Sequence, residues 1–247
     1  MDLAATNDDW ETLGREDPLW AVYVAPGRRD GGWDMRAFLD TGRTEVERVL
    51  SRVRELVPVA GREHALDFGC GVGRLSLPLS THFAHVTGVD SSPSMLARAR
   101  EIAGHRCEFV LNGAPDLARF GDASVDLAYS SLVLQHLPRE NALLYLRELL
   151  RITRPTGCVV VQVASRPDWS VKGVAFRFAP PGLTGWAQRR LLHYPAPMRM
   201  TALSDRAVRT AVNAAGGTVL AVESDPSYGG HWHYARYYVA PSSPQPD

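Results

Sequence analysis

The sequence predicts an α/β fold: a doubly wound, seven-stranded, mostly parallel sheet with helices on both faces. Three observations carry this. An apolar run, Ala65 to Phe68, enters a loop with glycine at 69, 71 and 73, and a helical pattern follows from Arg74; this strand–turn–helix unit places a ligand at the carboxyl end of a strand. Seven short apolar or alternating runs recur along the chain, most of them separated by helical spacing. Finally, Asp90 closes the second of these runs, about twenty positions beyond the glycine loop, where such folds set a carboxylate that accepts both hydroxyls of a cis-diol.

Composition narrows the class. A chain of 247 residues fits one large α/β domain, with residues 1–60 expected as an N-terminal helical lid segment, 61–240 as the main domain and 241–247 as a loose tail. The 27 basic residues equal the 27 acidic ones, so no net field draws the protein to nucleic acid or to a membrane surface. No apolar run approaches spanning length, and Met1-Asp2-Leu3-Ala4 lacks the start of a signal segment. Cys70, Cys107 and Cys158 are odd in number and far apart; they make neither a metal-ligand spacing nor a disulfide framework, and a cytoplasmic, reduced protein is expected. Oligomeric state is not legible.

In chain order, residues 1–13 are polar and read as mobile. Asp17-Pro18 starts a helix carrying Trp20 and Tyr23. A second helix is expected from Asp34 to about Leu56, broken at Thr41-Gly42, with Val46, Val49, Leu50, Val53 and Leu56 at helical spacing. After the glycine loop come a helix (74–81), strands His85–Val89 and Glu108–Leu111, and a corner at Asn112-Gly113-Ala114. Val125–Tyr129 is the fourth strand, and a helix runs from Arg139 to about Thr153. Cys158–Val163, continuously apolar, suits a buried parallel position. Residues 165–203, rich in Pro, aromatics and Arg, form an insertion; Ser204 then caps a helix, and Thr218–Val222 and Trp232–Val239 close the sheet after a turn at Tyr228-Gly229-Gly230.

The loop reads G-x-G-x-G, and Arg74 holds the place of the third glycine of a dinucleotide fingerprint. Together with Asp90 and the stretch from Ser130 to His136, it resembles motif I and later motifs of the class I S-adenosylmethionine (SAM) dependent methyltransferases, and Asp17-Pro18-Leu19-Trp20, Gly32-Trp33-Asp34 and Phe38-Leu39-Asp40-Thr41-Gly42-Arg43 resemble the N-terminal lid of a bacterial small-molecule branch. The resemblance implies a Rossmann-like sheet and SAM as cofactor. It also implies SAM contacts from Trp33, Asp67, Gly69, Cys70, Gly71, Gly73, Asp90, Ser91, Met95, Asn112, Gly113, Ala114, Ser130 and Gln135. Asp90 could instead cap the next helix, and Asn112-Gly113 could be a plain turn. Of two cations that could grip the SAM carboxylate, Arg43 is expected to do so and Arg74 to point to solvent.

The expected function is methyl transfer to an O or N atom of a small molecule. His136, His231 and His233 are candidate bases, each with a structural alternative, and His231 and His233, two residues apart, are expected to share a strand face. No metal is required, because the sulfonium methyl is already activated. Between Ser165 and Thr210 eight basic residues face two acidic ones, interleaved with Trp169, Trp186 and Tyr194; if this stretch roofs the site rather than forming a solvated face, an anionic acceptor with a ring or apolar part follows. The alternatives are a SAM-binding protein without methyl transfer and a nicotinamide-dependent oxidoreductase.

Overall fold

The computed structural model describes residues 2–170, 173–174, 181–225 and 231–241. The expected turn at 228–230, the tail beyond Pro241, and the insertion residues Lys172, Phe176, Arg177 and Phe178 lie outside them.

Seven strands form one sheet: β1 (His64–Phe68), β2 (His85–Asp90), β3 (Glu108–Leu111), β4 (Val125–Ser130), β5 (Thr153–Pro167), β6 (Thr218–Ser224) and β7 (Trp232–Ala240), in spatial order β3-β2-β1-β4-β5-β7-β6. β7 alone runs antiparallel to its neighbours. The order reverses between β1 and β4, both hydrogen-bonded in parallel, so a crevice opens at their carboxyl ends. The central strands are buried on both faces. Leu66, Ala128, Val159 and Tyr237 pack on one side against α6 (Arg139–Ile152) and α7 (Asp205–Ala214), whereas Ala65, Leu127, Val160 and Tyr238 pack on the other against α3 (Met35–Leu56) and α4 (Ser76–Leu79). Consecutive apolar residues therefore serve opposite layers, which is why these strands read as runs rather than alternations.

The N-terminal segment corrects two expectations. Residues 3–16 are not a mobile leader but helix α1 (Leu3–Glu16), followed by α2 (Pro18–Val22). Its composition is polar because one face meets solvent, while Thr6, Leu13 and Gly14 are buried. Long-range polar contacts hold it. Glu11 accepts from the Ser92 and Ser94 hydroxyls (2.7 and 2.6 Å) and the Ser94 amide (3.1 Å), at the start of α5 (Pro93–Ala103), where a carboxylate is favoured by the helix dipole. Nor is α3 broken at Thr41-Gly42. It runs unbroken, capped by Asp34, which accepts from the Ala37 amide at 3.0 Å. Gly42 is there for close approach, since a Cβ at this position would collide with the Arg74 carbonyl oxygen.

Two smaller differences are local. The chain turns through Gly71–Leu75, so α4 is only four residues long. β5 extends to Pro167 beside β7, with an irregular register between Ala164 and Arg166. No helix among the described residues is long and apolar enough to cross a membrane.

Candidate functional site

The glycine loop is shaped by its own backbone and by Asp90. Gly69, Gly71 and Gly73 all take positive φ (73°, 52° and 82°), which side-chain-bearing residues avoid. The Gly69 and Cys70 amides donate to the Val89 carbonyl at 2.7 and 3.0 Å, folding the loop back over β2. Asp90 accepts from the Gly71 amide (2.8 Å) through Oδ2 and from the Ser92 amide (2.9 Å) through Oδ1. It thus ties the loop to the segment leading into the next helix while lining the crevice; the helix cap is Ser92 rather than Asp90, its hydroxyl accepting from the Met95 amide at 3.1 Å. Burial raises its pKa, against the pull of those amides.

A cavity of about 290 Å³ opens above this loop, near the lower end of the range for small-molecule sites, roughly 300–1,000 Å³. Of the residues expected at the cofactor, Asp67, Gly69, Cys70, Gly71, Asp90, Ser91, Met95, Asn112 and Gln135 line it. Asn112 sits in a tied turn: its Nδ2 donates to the carbonyls of Ala114 (3.2 Å) and Asp116 (3.0 Å). Asp67 is buried and accepts from the Ser76 hydroxyl at 2.6 Å. Burial drives its pKa up to about 7, against that hydroxyl and the charge of Arg74.

Several expected residues lie elsewhere. Arg43 is on the solvent flank of α3, two-thirds exposed, 3.1 Å from Asp40, while Arg74 lines the cavity and is buried. Arg74 donates to Glu45 at 2.8 Å and lies over the Tyr23 ring. The solvent exposure expected of Arg74 is thus found at Arg43, and Arg74 is the one of the two that lines the cavity. Trp33 fastens the N-terminal loop instead, donating to the Tyr23 carbonyl at 3.0 Å and packing on Phe38. Gly73 faces the core at Phe109. Gly113 and Ala114 turn out of the lining, their carbonyls accepting from Asn7 and from the Tyr145 hydroxyl. Ser130 ends β4 facing away, and its neighbour Ser131 takes the cavity position, as strand alternation requires.

Below the floor, Glu45 accepts from Arg74, Arg236 (2.8 Å), Tyr129 (2.5 Å) and Ser131 (2.8 Å), and Arg236 also meets Asp225 at 2.6 Å. A charge set of this kind, joined through one shared carboxylate, holds its members in one geometry. Leu132 at the wall carries positive φ (63°), and its amide donates to Gln162 at 3.0 Å. This is a strained backbone position of the kind that clusters at sites.

α1 roofs the cavity with Leu3, Asn7 and Trp10, which nothing in the residue pattern announced. Asp9 ties α1 to the insertion through Arg199 (3.0 Å), and Trp10 meets the His136 ring edge-on at 4.9 Å. His136 and His231 line the cavity; His233 is exposed and does not. His231 precedes β7, and the β5–β7 register shifts beside both it and His233. His136 Nδ1 donates to the Arg199 carbonyl at 2.8 Å, and burial lowers its pKa to about 4.

From the insertion, the lining is Gln188, Tyr194, Met198 and Met200. Arg166, Arg189 and Arg190 are exposed, Arg199 is held by Asp9, and Trp169 and Trp186 are exposed at 74% and 56%. The described basic residues therefore do not face the acceptor space, and the charge argument for an anionic acceptor finds no support among them. Nor do the described residues contain a cluster of three or more His, Cys, Asp or Glu side chains that could hold a metal ion.

Residues 65–157 match the family described as a methyltransferase domain. The chain is 37% identical over 154 residues to a malonyl-[acyl-carrier protein] O-methyltransferase of Pectobacterium atrosepticum, covering 61% of this chain and 55% of the relative. It is 31% identical over 139 residues to a trans-aconitate 2-methyltransferase of an Enterobacter species, covering 55% and 52%. The chain thus spans about half the length of these curated relatives. In fold it resembles the magnesium protoporphyrin IX methyltransferase of Synechocystis, solved with S-adenosylhomocysteine (SAH), with a TM-score of 0.65 over 98% of this chain and all of that one, at 19% identity. Residues 65–157 accordingly resemble a methyltransferase domain, and the chain shares the fold of a methyltransferase solved with SAH.

Proposed function

We propose that the protein transfers a methyl group from SAM to an oxygen or nitrogen of a small molecule with an apolar or aromatic body. One observation carries the reading: the cavity at the carboxyl ends of β1 and β2 gathers Asp67, Arg74, Asp90 and Asn112 around the glycine loop, under α1. The donor set suits SAM. A carboxylate beside the loop matches a cis-diol, and an amide with both donor and acceptor capacity matches an adenine edge. A buried guanidinium beside a carboxylate matches an amino-acid end. The Arg74 position also speaks against the dinucleotide alternative, because the close helix packing that a third glycine would allow is replaced by a buried ion pair.

SAM, when bound, supplies an electrophilic methyl that needs no metal. The chain holds the acceptor in line and keeps water out. The acceptor wall, with Trp10, Tyr194, Met198, Met200, Trp232 and Tyr234, fits a ring or aliphatic group and offers thioethers that adapt in shape. That one relative is named an O-methyltransferase supports oxygen as the acceptor atom. The balanced charge of the chain supports a small molecule over nucleic acid.

Calorimetry with SAM and with NAD, followed by mass spectrometry of acceptor mixtures, tests this. SAM binding and a gain of one methylene mass in a product are expected. NAD binding without SAM binding refutes the reading, and SAM binding without transfer leaves a binding protein.

A further inference from the structure

A second set of groups meets the cavity beyond the carboxyl end of β5. Where β5 ends, the Asp168 amide donates to the His231 carbonyl at 2.9 Å, joining the two segments. Ser170 donates to Asp168 Oδ1 through both its amide (3.0 Å) and its hydroxyl (2.5 Å). His231 Nδ1 lies 2.7 Å from the same hydroxyl oxygen, and the Gly173 amide donates to that oxygen at 3.1 Å.

The proton inventory fixes the direction of every bond. A serine hydroxyl has one proton and two lone pairs. The Ser170 hydroxyl above all holds the Asp168 carboxyl below its usual range, so near neutral pH Asp168 is ionised and only accepts. The Ser170 proton therefore goes to Asp168. One lone pair takes the Gly173 amide, and the other must accept from His231 Nδ1–H. Neutral His231 then carries its lone pair on Nε2, for which the described residues supply no hydrogen-bond partner, and the side chain lines the cavity.

We propose that His231 Nε2 is the base that takes the proton of an acceptor hydroxyl, with Ser170 and Asp168 as positioning residues that fix its tautomer; this rests on the methyltransferase reading. The acceptor O–H bond breaks and its proton passes to Nε2. The oxygen pair forms the new bond to the methyl carbon, and the carbon–sulfur pair stays on sulfur. The imidazolium, steadied through Ser170 by the Asp168 charge, later releases the proton to water. His136 is less suited to this role: burial lowers its pKa to about 4, and its Nδ1 meets a backbone carbonyl rather than a hydroxyl backed by a carboxylate. The acceptor class that follows is a weakly acidic hydroxyl, such as a phenol, on an apolar body.

The test uses the full chain, SAH, and a series of substituted phenols. In the SAH-loaded protein, ¹⁵N-resolved NMR should find neutral His231 protonated on Nδ1, and Ser170→Ala should shift it to the Nε2–H form that free imidazole side chains favour in water. With SAM, transfer to phenols that are un-ionised at the assay pH should fall about 10²-fold or more in His231→Gln and about tenfold in Ser170→Ala and Asp168→Asn. Transfer to nitrophenols, already largely ionised, should change only a few-fold. An Nε2–H tautomer in the wild type, equal losses across the series, or SAH binding without transfer to any phenol overturns the assignment. Failure to bind SAH removes the methyltransferase reading itself, and the base role with it.

Discussion

Replacing Glu11 by Ala should release α1 from the domain without unfolding the sheet. Burial pushes the Glu11 carboxyl up, but the Ser94 and Ser92 bonds outweigh it with help from Arg15, and the pKa falls from 4.5 to about 2. A depressed carboxyl pKa stabilises the folded form above its unfolded value, so the contribution is whole above pH 4.5 and disappears as pH falls towards 2. The difference, 4.5 minus 2 or about 2.5, sets an upper bound near 3.5 kcal/mol at about 1.4 kcal/mol per pH unit. With the side chain 21% exposed, solvent screening leaves about 1–2 kcal/mol. Hydrogen exchange at pH 7 should then show α1 amides losing protection by roughly 5- to 30-fold, while amides of β1 and β4 stay unchanged. Glu11→Gln, which keeps an acceptor oxygen, should fall between. Unaltered α1 exchange in Glu11→Ala, or equal loss across the sheet, would refute the view that this carboxylate pins a separable roof.

Three further outcomes follow from the site. Arg74→Ala should cost at least tenfold in SAM affinity by calorimetry while Arg43→Ala costs less than twofold; the reverse order contradicts the choice of Arg74 over Arg43. Glu45→Ala strands Arg74 and Arg236 without their shared carboxylate, so it should destabilise by about 3–5 kcal/mol and lower Tm by about 10 °C in a scan, and a shift under 2 °C would mean the pairs relax freely. Asp67, with its pKa raised to about 7, favours folding below its unfolded value near 4 and loses that contribution as pH rises through 7; the free protein should lose stability across pH 4–7. SAM affinity should rise over pH 6–8 as the carboxylate forms to meet the ligand's ammonium. Both slopes should vanish in Asp67→Asn, and their persistence there would place the titrating group elsewhere.

The sheet was legible because its signals are local. Glycines that need positive φ, buried runs such as Cys158–Val163, and an acid at the end of β2 can each be read within a few residues. α1 was not, because its docking rests on partners far along the chain, Glu11 with Ser92 and Asp9 with Arg199, and its own residues are mostly polar. The Arg43 assignment followed resemblance, although α3 itself held a better signal. Phe38, Gly42, Val46, Val49 and Val53 define its buried stripe, which leaves Arg43 one step past Gly42 on the flank. Glu45 stands within that buried face, and a buried carboxylate calls for a cation, which Arg74 supplies. The placement of the basic insertion was not legible for a different reason: charge counts carry no direction, and its described arginines are exposed or meet Asp9. Ser170 and Asp168 gave no sequence sign, since only the β5–β7 pairing brings them to His231.

The central claim is that the cavity over the glycine loop holds SAM with its ribose at Asp90, its adenine beside Asn112 and its amino-acid end between Asp67 and Arg74. A crystal structure of the full chain with SAH tests this most directly. The account predicts both ribose hydroxyls within hydrogen-bond distance of Asp90 and the SAH carboxylate within reach of Arg74, under a closed α1. SAH seated with its carboxylate at Arg43, or outside this cavity, would contradict it.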